Sequence, residues 1–210
     1  MSEFISHIGT DESGKGDFFG PLVIAGVLAD EKSAQFFLDL GIKDSKKLSD
    51  KKMLTMAVEI KKHAPHSIIA ISNSKYNELY GNIKNLNKLL AWGHARAIEN
   101  ILEKKECEYA LSDQFGDEGL IKSALMKKGQ SIRLEQMVRA ESDIAVAAAS
   151  ILARAAFVHK IAAMEAEFGV KFPKGCAAQV KDAAKDFISK YGRERLSEVC
   201  KTHFKTYKEV

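Results

Sequence analysis

Short apolar runs at residues 4–10 and 21–28 predict two strands, joined by a glycine-rich bend. A lysine-rich helix follows over 50–63, then a third strand over 66–72, HSIIAIS. Apolar residues at helical spacing mark a long amphipathic helix over 86–105. A fourth strand, EYALSD, spans 108–113 and ends on an acid; a helix over 117–128 and an alternating fifth strand over 131–138 come next. Residues 142–168 form a long alanine-rich helix whose small side chains allow close packing on a sheet. Helices over 177–191 and 193–202 finish the chain. Strands in a run, then strands alternating with helices, predict an α/β fold: a central mixed five-stranded sheet flanked by helices, with a helical C-terminal part from about residue 170.

Composition narrows the class. The 210 residues are 46% hydrophobic and 29% charged, the balance of a soluble globular chain, and the length suits a single domain over 1–210. Neither a repeat nor a proline-rich linker divides it, and only Pro21, Pro65 and Pro173 occur. The most apolar stretch, around 144–164, is interrupted by Arg154, His159 and Lys160, so no membrane span is expected. Cys107, Cys176 and Cys200 are odd in number and widely spaced, which predicts free thiols in a reducing, cytoplasmic setting. A net charge of +4 permits a polyanionic partner without requiring one.

The chemistry concentrates in carboxylates. Asp11 and Glu12 stand together at the end of the first strand, and alternation sends their side chains to opposite faces. Asp113 closes another apolar strand, and sites gather at such strand ends. Glu141 and Asp143 open the alanine-rich helix, where acids also serve as caps. Acids from separate segments, without His or Cys companions, suit a hard divalent cation such as Mg2+ or Mn2+.

The segment GTDESGKG superficially resembles a nucleotide-binding phosphate loop, Gly9 through Lys15. Such loops need Ser or Thr after the lysine; here Gly16 stands there, and Asp11 and Glu12 would repel phosphate inside the cradle. Gly14, Gly16 and Gly20 would instead let backbone approach a sugar–phosphate chain closely, with Lys15 at a phosphate. The segment IKDSKKLSDKK carries five lysines, with Ser45 and Ser49 as further donors, and suits either a nucleic-acid backbone or a solvated helix start capped by Ser49. Arg193, Arg195, Lys201 and Lys205 add basic positions near the C-terminus, where His203 is the one candidate proton shuttle.

Taken together, GTDESGKGDFFGPLV, KDSKKLS, LSDQF, RAESDIAVAAASILAR, FPKGCAAQVKDAA and KTHFK, in that order from residue 9 to about 205, resemble the type 2 ribonucleases H, specifically the HIII branch. The resemblance implies a ribonuclease H-like fold and a two-metal-ion endonuclease, using Mg2+ or Mn2+, that cuts the RNA strand of RNA–DNA hybrids and leaves 5′-phosphate and 3′-hydroxyl ends. Carried onto this chain, the metal-binding and catalytic acids are Asp11, Glu12, Asp113 and Glu141, with Asp143 as the competitor for the fourth place. Gly14, Lys15 and Gly16 match the loop lying along the ribonucleotides, and Ser45 and Lys46 match a stretch near substrate phosphates. No protein partner is implied, and a monomer is expected.

The sister HII group has arginine between the two glycines and a tyrosine after a Lys-Gly pair, used to sense a lone ribonucleotide. This chain has Lys15 and Cys176 at those places, so cutting within ribonucleotide runs is expected instead. The HIII branch usually carries an extra N-terminal substrate-binding domain; with Asp11 so near the start, this chain is expected to lack it. The alternatives are an HII-type enzyme acting at single ribonucleotides, and a non-catalytic hybrid-binding module.

Overall fold

The structure, a computed structural model, describes residues 4–42 and 48–210. Five strands form one mixed sheet: β1 (His7–Ser13), β2 (Leu22–Ala29), β3 (His66–Ile71), β4 (Tyr109–Asp113) and β5 (Arg133–Met137), in the spatial order β3-β2-β1-β4-β5. β1–β2 and β2–β3 pair antiparallel, whereas β1–β4 and β4–β5 pair parallel. The parallel pairs put the C-terminal ends of β1 and β4 side by side at the centre of the sheet.

Period-two alternation divides the core. Val23, Ala25, Val27 and Ala29 of β2 face a cluster built on the long helix α6 (Ile144–Phe168), together with α1 (Glu31–Asp39), α2 (Asp50–His63) and α7 (Ala178–Tyr191). Leu22, Ile24 and Leu28 face the other way, toward α4 (Leu86–Leu102), α3 (Asn73–Ile83) and α5 (Glu118–Ala124). All eight residues of β2 are buried, as a strand covered by helices on both faces requires. α6 is long and apolar enough to cross a membrane, but two thirds of its apolar stretch is buried inside the protein, so it is a core helix.

The alanine content of α6 lets it lie flat on the sheet, and Gly9 completes the fit. A Cβ at Gly9 would sit 2.2 Å from the Ala145 carbonyl carbon and the Val146 amide nitrogen. That close approach carries the end of β1 past the first turns of α6.

Side-chain caps set the helix starts: Asp30 in a reciprocal capping box at α1, Ser49 at α2, Ser72 at α3 and Asn85 at α4. Three features depart from the sequence reading. β1 runs on through Asp11, Glu12 and Ser13, which pair with Ala25, Ile24 and Val23. The short α1 and α3 helices are additional elements. The helix expected over 193–202 is a short 3-10 turn, Glu194–Glu198, after which Cys200 bridges to Phe19; only α8 (Lys205–Glu209) follows it.

Candidate active site

Asp11 and Glu12 leave β1 on opposite faces, as alternation requires. Glu12 shares its face with Ile8 and Thr10, toward α4. Its Oε2 lies 3.2 Å from Nε2 of the fully buried His94, and its Oε1 accepts from the Lys15 ammonium at 3.3 Å. His94 Nδ1 in turn stands 2.8 Å from the Thr10 hydroxyl, and its ring stacks on Phe115 with centroids 4.8 Å apart.

Asp11 faces α6. Its Oδ1 accepts from the Glu12 amide at 2.8 Å, and the Ser150 hydroxyl donates to it. Ser150 is one of the few polar positions in the first half of α6, and the tight crossing at Gly9 brings it there. Asp113 sits one residue beyond the Thr10–Ser112 pair, so it ends its strand beside Asp11. Its Oδ1 accepts from the Ala140 amide at 2.9 Å, which ties it to the turn Ala140–Ser142 that carries Glu141.

Asp143 caps α6: its Oδ1 accepts from the amides of Ala145 and Val146 at 2.9 and 3.0 Å, and its Oδ2 meets His7 Nε2 at 2.9 Å. Both Asp143 oxygens are thus engaged in holding the start of α6.

Electrostatics separates the first pair. Burial and the charge of Glu12, helped by Asp113, push Asp11 up to about 7, against the hydrogen bonds from the Glu12 amide and Ser150. Burial also works upward on Glu12, but the hydrogen bond and charge of His94, followed by Lys15, outweigh it and hold the carboxyl below its ordinary range. The neighbourhood of Asp11 is therefore short of positive charge. Among the described residues, no three His, Cys, Asp or Glu side chains are gathered closely enough to hold a metal ion by themselves. An open set of carboxylate oxygens is what a cation uses when water and substrate phosphates complete its coordination.

The loop between β1 and β2 is a hairpin connection that leads into a strand, whereas a phosphate loop leads into a helix. Its glycines play different parts. Gly14 has φ +87°, and a Cβ there would meet the Pro21 carbonyl oxygen at 2.2 Å, so the fold itself requires glycine. A Cβ on Gly16 would meet nothing within 4 Å. The space beside Gly16 is open to a ligand. Ser45 and Lys46 lie outside the described residues.

The C-terminal basic positions are mostly structural. Arg193 donates to the carbonyls of Val210, at 2.7 Å, and Tyr207, while Arg195 pairs with Glu198. Lys201 is fully buried. His203 stacks on Tyr80 at 4.3 Å and lies against Tyr76 and Phe204, and burial, then the charge of Lys201, depresses its pKa. This aromatic nest gives no support to a proton shuttle. Sequence reasoning missed His94 and Ser150, whose only signal is a polar residue within an apolar helical stretch.

The ribonuclease HII family model matches residues 8–207. Ribonuclease HIII of Protochlamydia amoebophila (strain UWE25) is 48% identical over 200 residues, covering 95% of this chain and 66% of that protein. Ribonuclease HIII of Chlamydia abortus (strain DSM 27085 / S26/3) is 49% identical over 206 residues, 97% of this chain and 69% of its own length. The crystal structure of Bst-RNase HIII in complex with Mn2+ superposes with a TM-score of 0.91 at 32% identity, covering 99% of this chain and 69% of that one. The chain thus spans about two thirds of the length of these relatives.

Proposed function

The chain belongs to the ribonuclease HII family, and from that premise we propose that it is a metal-dependent endonuclease that hydrolyses the RNA strand of RNA–DNA hybrids, leaving 5′-phosphate and 3′-hydroxyl ends. One observation carries the reading: Asp11 and Asp113 meet at adjoining strand ends, beside a glycine loop whose Gly16 faces open space. We read residues 1–210 as one catalytic domain, monomeric and cytoplasmic, consistent with three free cysteines.

The donor set fits Mg2+ or Mn2+: the oxygens are carboxylate, and the excess negative charge at Asp11 is what a divalent cation relieves. Asp11, Glu12, Asp113 and Glu141 would hold it. Two ions so held supply the Lewis acidity that activates water and stabilises the leaving oxygen of a phosphodiester. The remaining work falls to the chain. Ser150 and the Glu12 amide orient Asp11. His94 and Lys15 keep Glu12 ionised and fix its direction. The Ala140 amide aims Asp113 and links it to the turn that bears Glu141.

Gly14, Lys15 and Gly16 would lay main-chain groups against the ribose, where the 2′-hydroxyl separates RNA from DNA. Ser45 and Lys46 are the further phosphate contacts. Gly175 is hydrogen-bonded to Phe18 and Asp17, so Cys176 stands next to this loop without an aromatic ring to offer a lone ribonucleotide. Runs of ribonucleotides are therefore the substrate in this reading.

The test is cleavage of a labelled RNA–DNA duplex, and of a DNA duplex with one embedded ribonucleotide, with each metal. Wild type should cut the first and spare the second. Asp11→Asn and Asp113→Asn should abolish cutting while hybrid binding survives. Full activity in either variant would sink the assignment.

A further inference from the structure

We propose that Lys201 is the positioning residue of the glycine loop, holding Gly14–Gly20 in place through its buried Nζ; this rests on the reading that the loop lies along the substrate. The loop does little to hold itself. Its one internal main-chain bond runs from the Asp17 amide to the Gly14 carbonyl at 3.3 Å. The remaining anchors come from distant segments. The Phe18 amide donates to Gly175 at 3.0 Å, and the Gly175 amide donates to Asp17 Oδ1 at 2.6 Å. The Gly20 amide donates to Val199 at 3.1 Å, and the Lys201 amide to Phe18 at 2.9 Å.

Lys201 also reaches in with its side chain. Nζ donates to the Asp17 carbonyl at 2.8 Å and the Gly20 carbonyl at 2.6 Å, and lies 5.5 Å from the centre of the Tyr76 ring. Asn73 Nδ2 donates to the same Gly20 carbonyl at 2.8 Å. The residue is wholly buried, which pulls its pKa down to about 7 against the charge of Asp17, and an apolar side chain of similar length would fill the volume without the desolvation cost. What Nζ adds is the fixed separation of two loop carbonyls. Lys201 is itself held: Asn77 donates to the carbonyls of Ser197 and Cys200 at 3.1 and 2.9 Å and accepts from the Thr202 amide at 3.0 Å. Asn73 and Asn77, one turn apart on α3, thus brace the loop and the tail together. The base of the loop is fixed and its tip at Gly16 stays open.

The test is Lys201→Met, read by hydrogen exchange and by kinetics. The amides of Asp17, Phe18 and Gly20 should lose protection by roughly ten-fold or more, the scale of a lost hydrogen bond, while those of β2 and α6 stay as in wild type. On a run of ribonucleotides kcat/KM should fall roughly ten-fold or more, and in a Gly16→Ala background the same change should cost little further, since both act on one loop. Wild-type loop protection in Lys201→Met would overturn the proposal, as would loosened amides with unchanged kcat/KM. If Lys201→Met fails to fold, Lys201→Gln, which keeps most of the stem and a donor, takes its place. Global unfolding of both would also overturn it, assigning Lys201 to the core. An inactive wild type would refute the nuclease reading alone, because exchange at the loop is measured without substrate.

Discussion

Nε2 of His94 lies 3.2 Å from Oε2 of Glu12, while its Nδ1 lies 2.8 Å from the Thr10 hydroxyl. The ring thus bridges the Glu12 carboxylate and the Thr10 hydroxyl, so one β1 side chain orients another through a residue of α4. Partners that orient a metal-holding carboxylate matter for affinity as well as rate. His94→Ala should lower activity by about 10- to 100-fold and raise the Mg2+ concentration needed for half-maximal rate. A metal titration of both proteins checks this. An unchanged half-saturation point would show that Glu12 needs no such support.

Gly14 and Gly16 are two residues apart and should respond differently to substitution. Gly14→Ala puts a Cβ against the Pro21 carbonyl and demands an unfavourable positive φ, so it should destabilise the protein. Gly16→Ala meets no protein atom and should melt within about 1 °C of wild type, a surface substitution by stability. If ribose backbone occupies that space, the same methyl group should reduce kcat/KM on hybrids on the order of 100-fold, the penalty for displacing a substrate slightly. Thermal melts beside initial rates separate the two effects. Normal rates in Gly16→Ala would remove the loop from the substrate.

The fold was legible where one rule controlled it. Apolar runs marked four strands, alternation the fifth, and the alanine pattern marked α6. The strand-end positions of Asp11 and Asp113 pointed to one sheet edge because parallel strands align their C-termini. Tertiary geometry governed the rest. Asp-Glu-Ser reads as a polar bend, yet the β2 ladder carries the strand through it because Val23, Ile24 and Ala25 supply partners. Ser150 and His94 look like incidental polar residues until the crossings of α6 and α4 are known. The basic tail reads as a helix over 193–202, but Asn77 and the Phe18–Gly20 main chain capture it first. No residue type betrays that Lys201 is buried.

The His7–Asp143 pair ties the start of β1 to the first turn of α6 at 2.9 Å. Burial works against a charged His7, but the hydrogen bond and charge of Asp143 win and raise its pKa above the ordinary 6.5. The same contact, with the amides of Val146 and Ala145, overcomes burial and lowers Asp143. A raised His7 contributes stability that is complete below its unfolded value and is lost as pH climbs through the folded one. Wild type should therefore lose part of its stability from about pH 6.5 upward. His7→Ala should cost roughly 1–3 kcal/mol at acid pH and flatten that decline. Urea denaturation across the window tests it; parallel pH profiles for the two proteins would rule the pair out.

Asp11 gives a slope of the same sign in a more acidic window, because here the charge itself is the burden. Its carboxyl is raised from 3.8 to about 7, so ionising it in the folded protein costs stability progressively across that window and fully above it. At about pH 8 without divalent ions, Asp11→Asn should be more stable than wild type by on the order of a few kcal/mol, a gain that vanishes in acid. Divalent ions should narrow that gap. A cation that binds the folded site adds about 2.7 kcal/mol at a hundred-fold excess over its Kd, which for a chain of this size is a rise in Tm of roughly 5–10 °C. The variant should show little of that rise, since it lacks one of the carboxylates that would hold the cation. Melts with and without Mg2+ or Mn2+ at several pH values read out both signs independently of cleavage. Equal metal-induced shifts in the two proteins would place the ions elsewhere, and a variant no more stable than wild type at alkaline pH would mean that Asp11 is relieved by some other group.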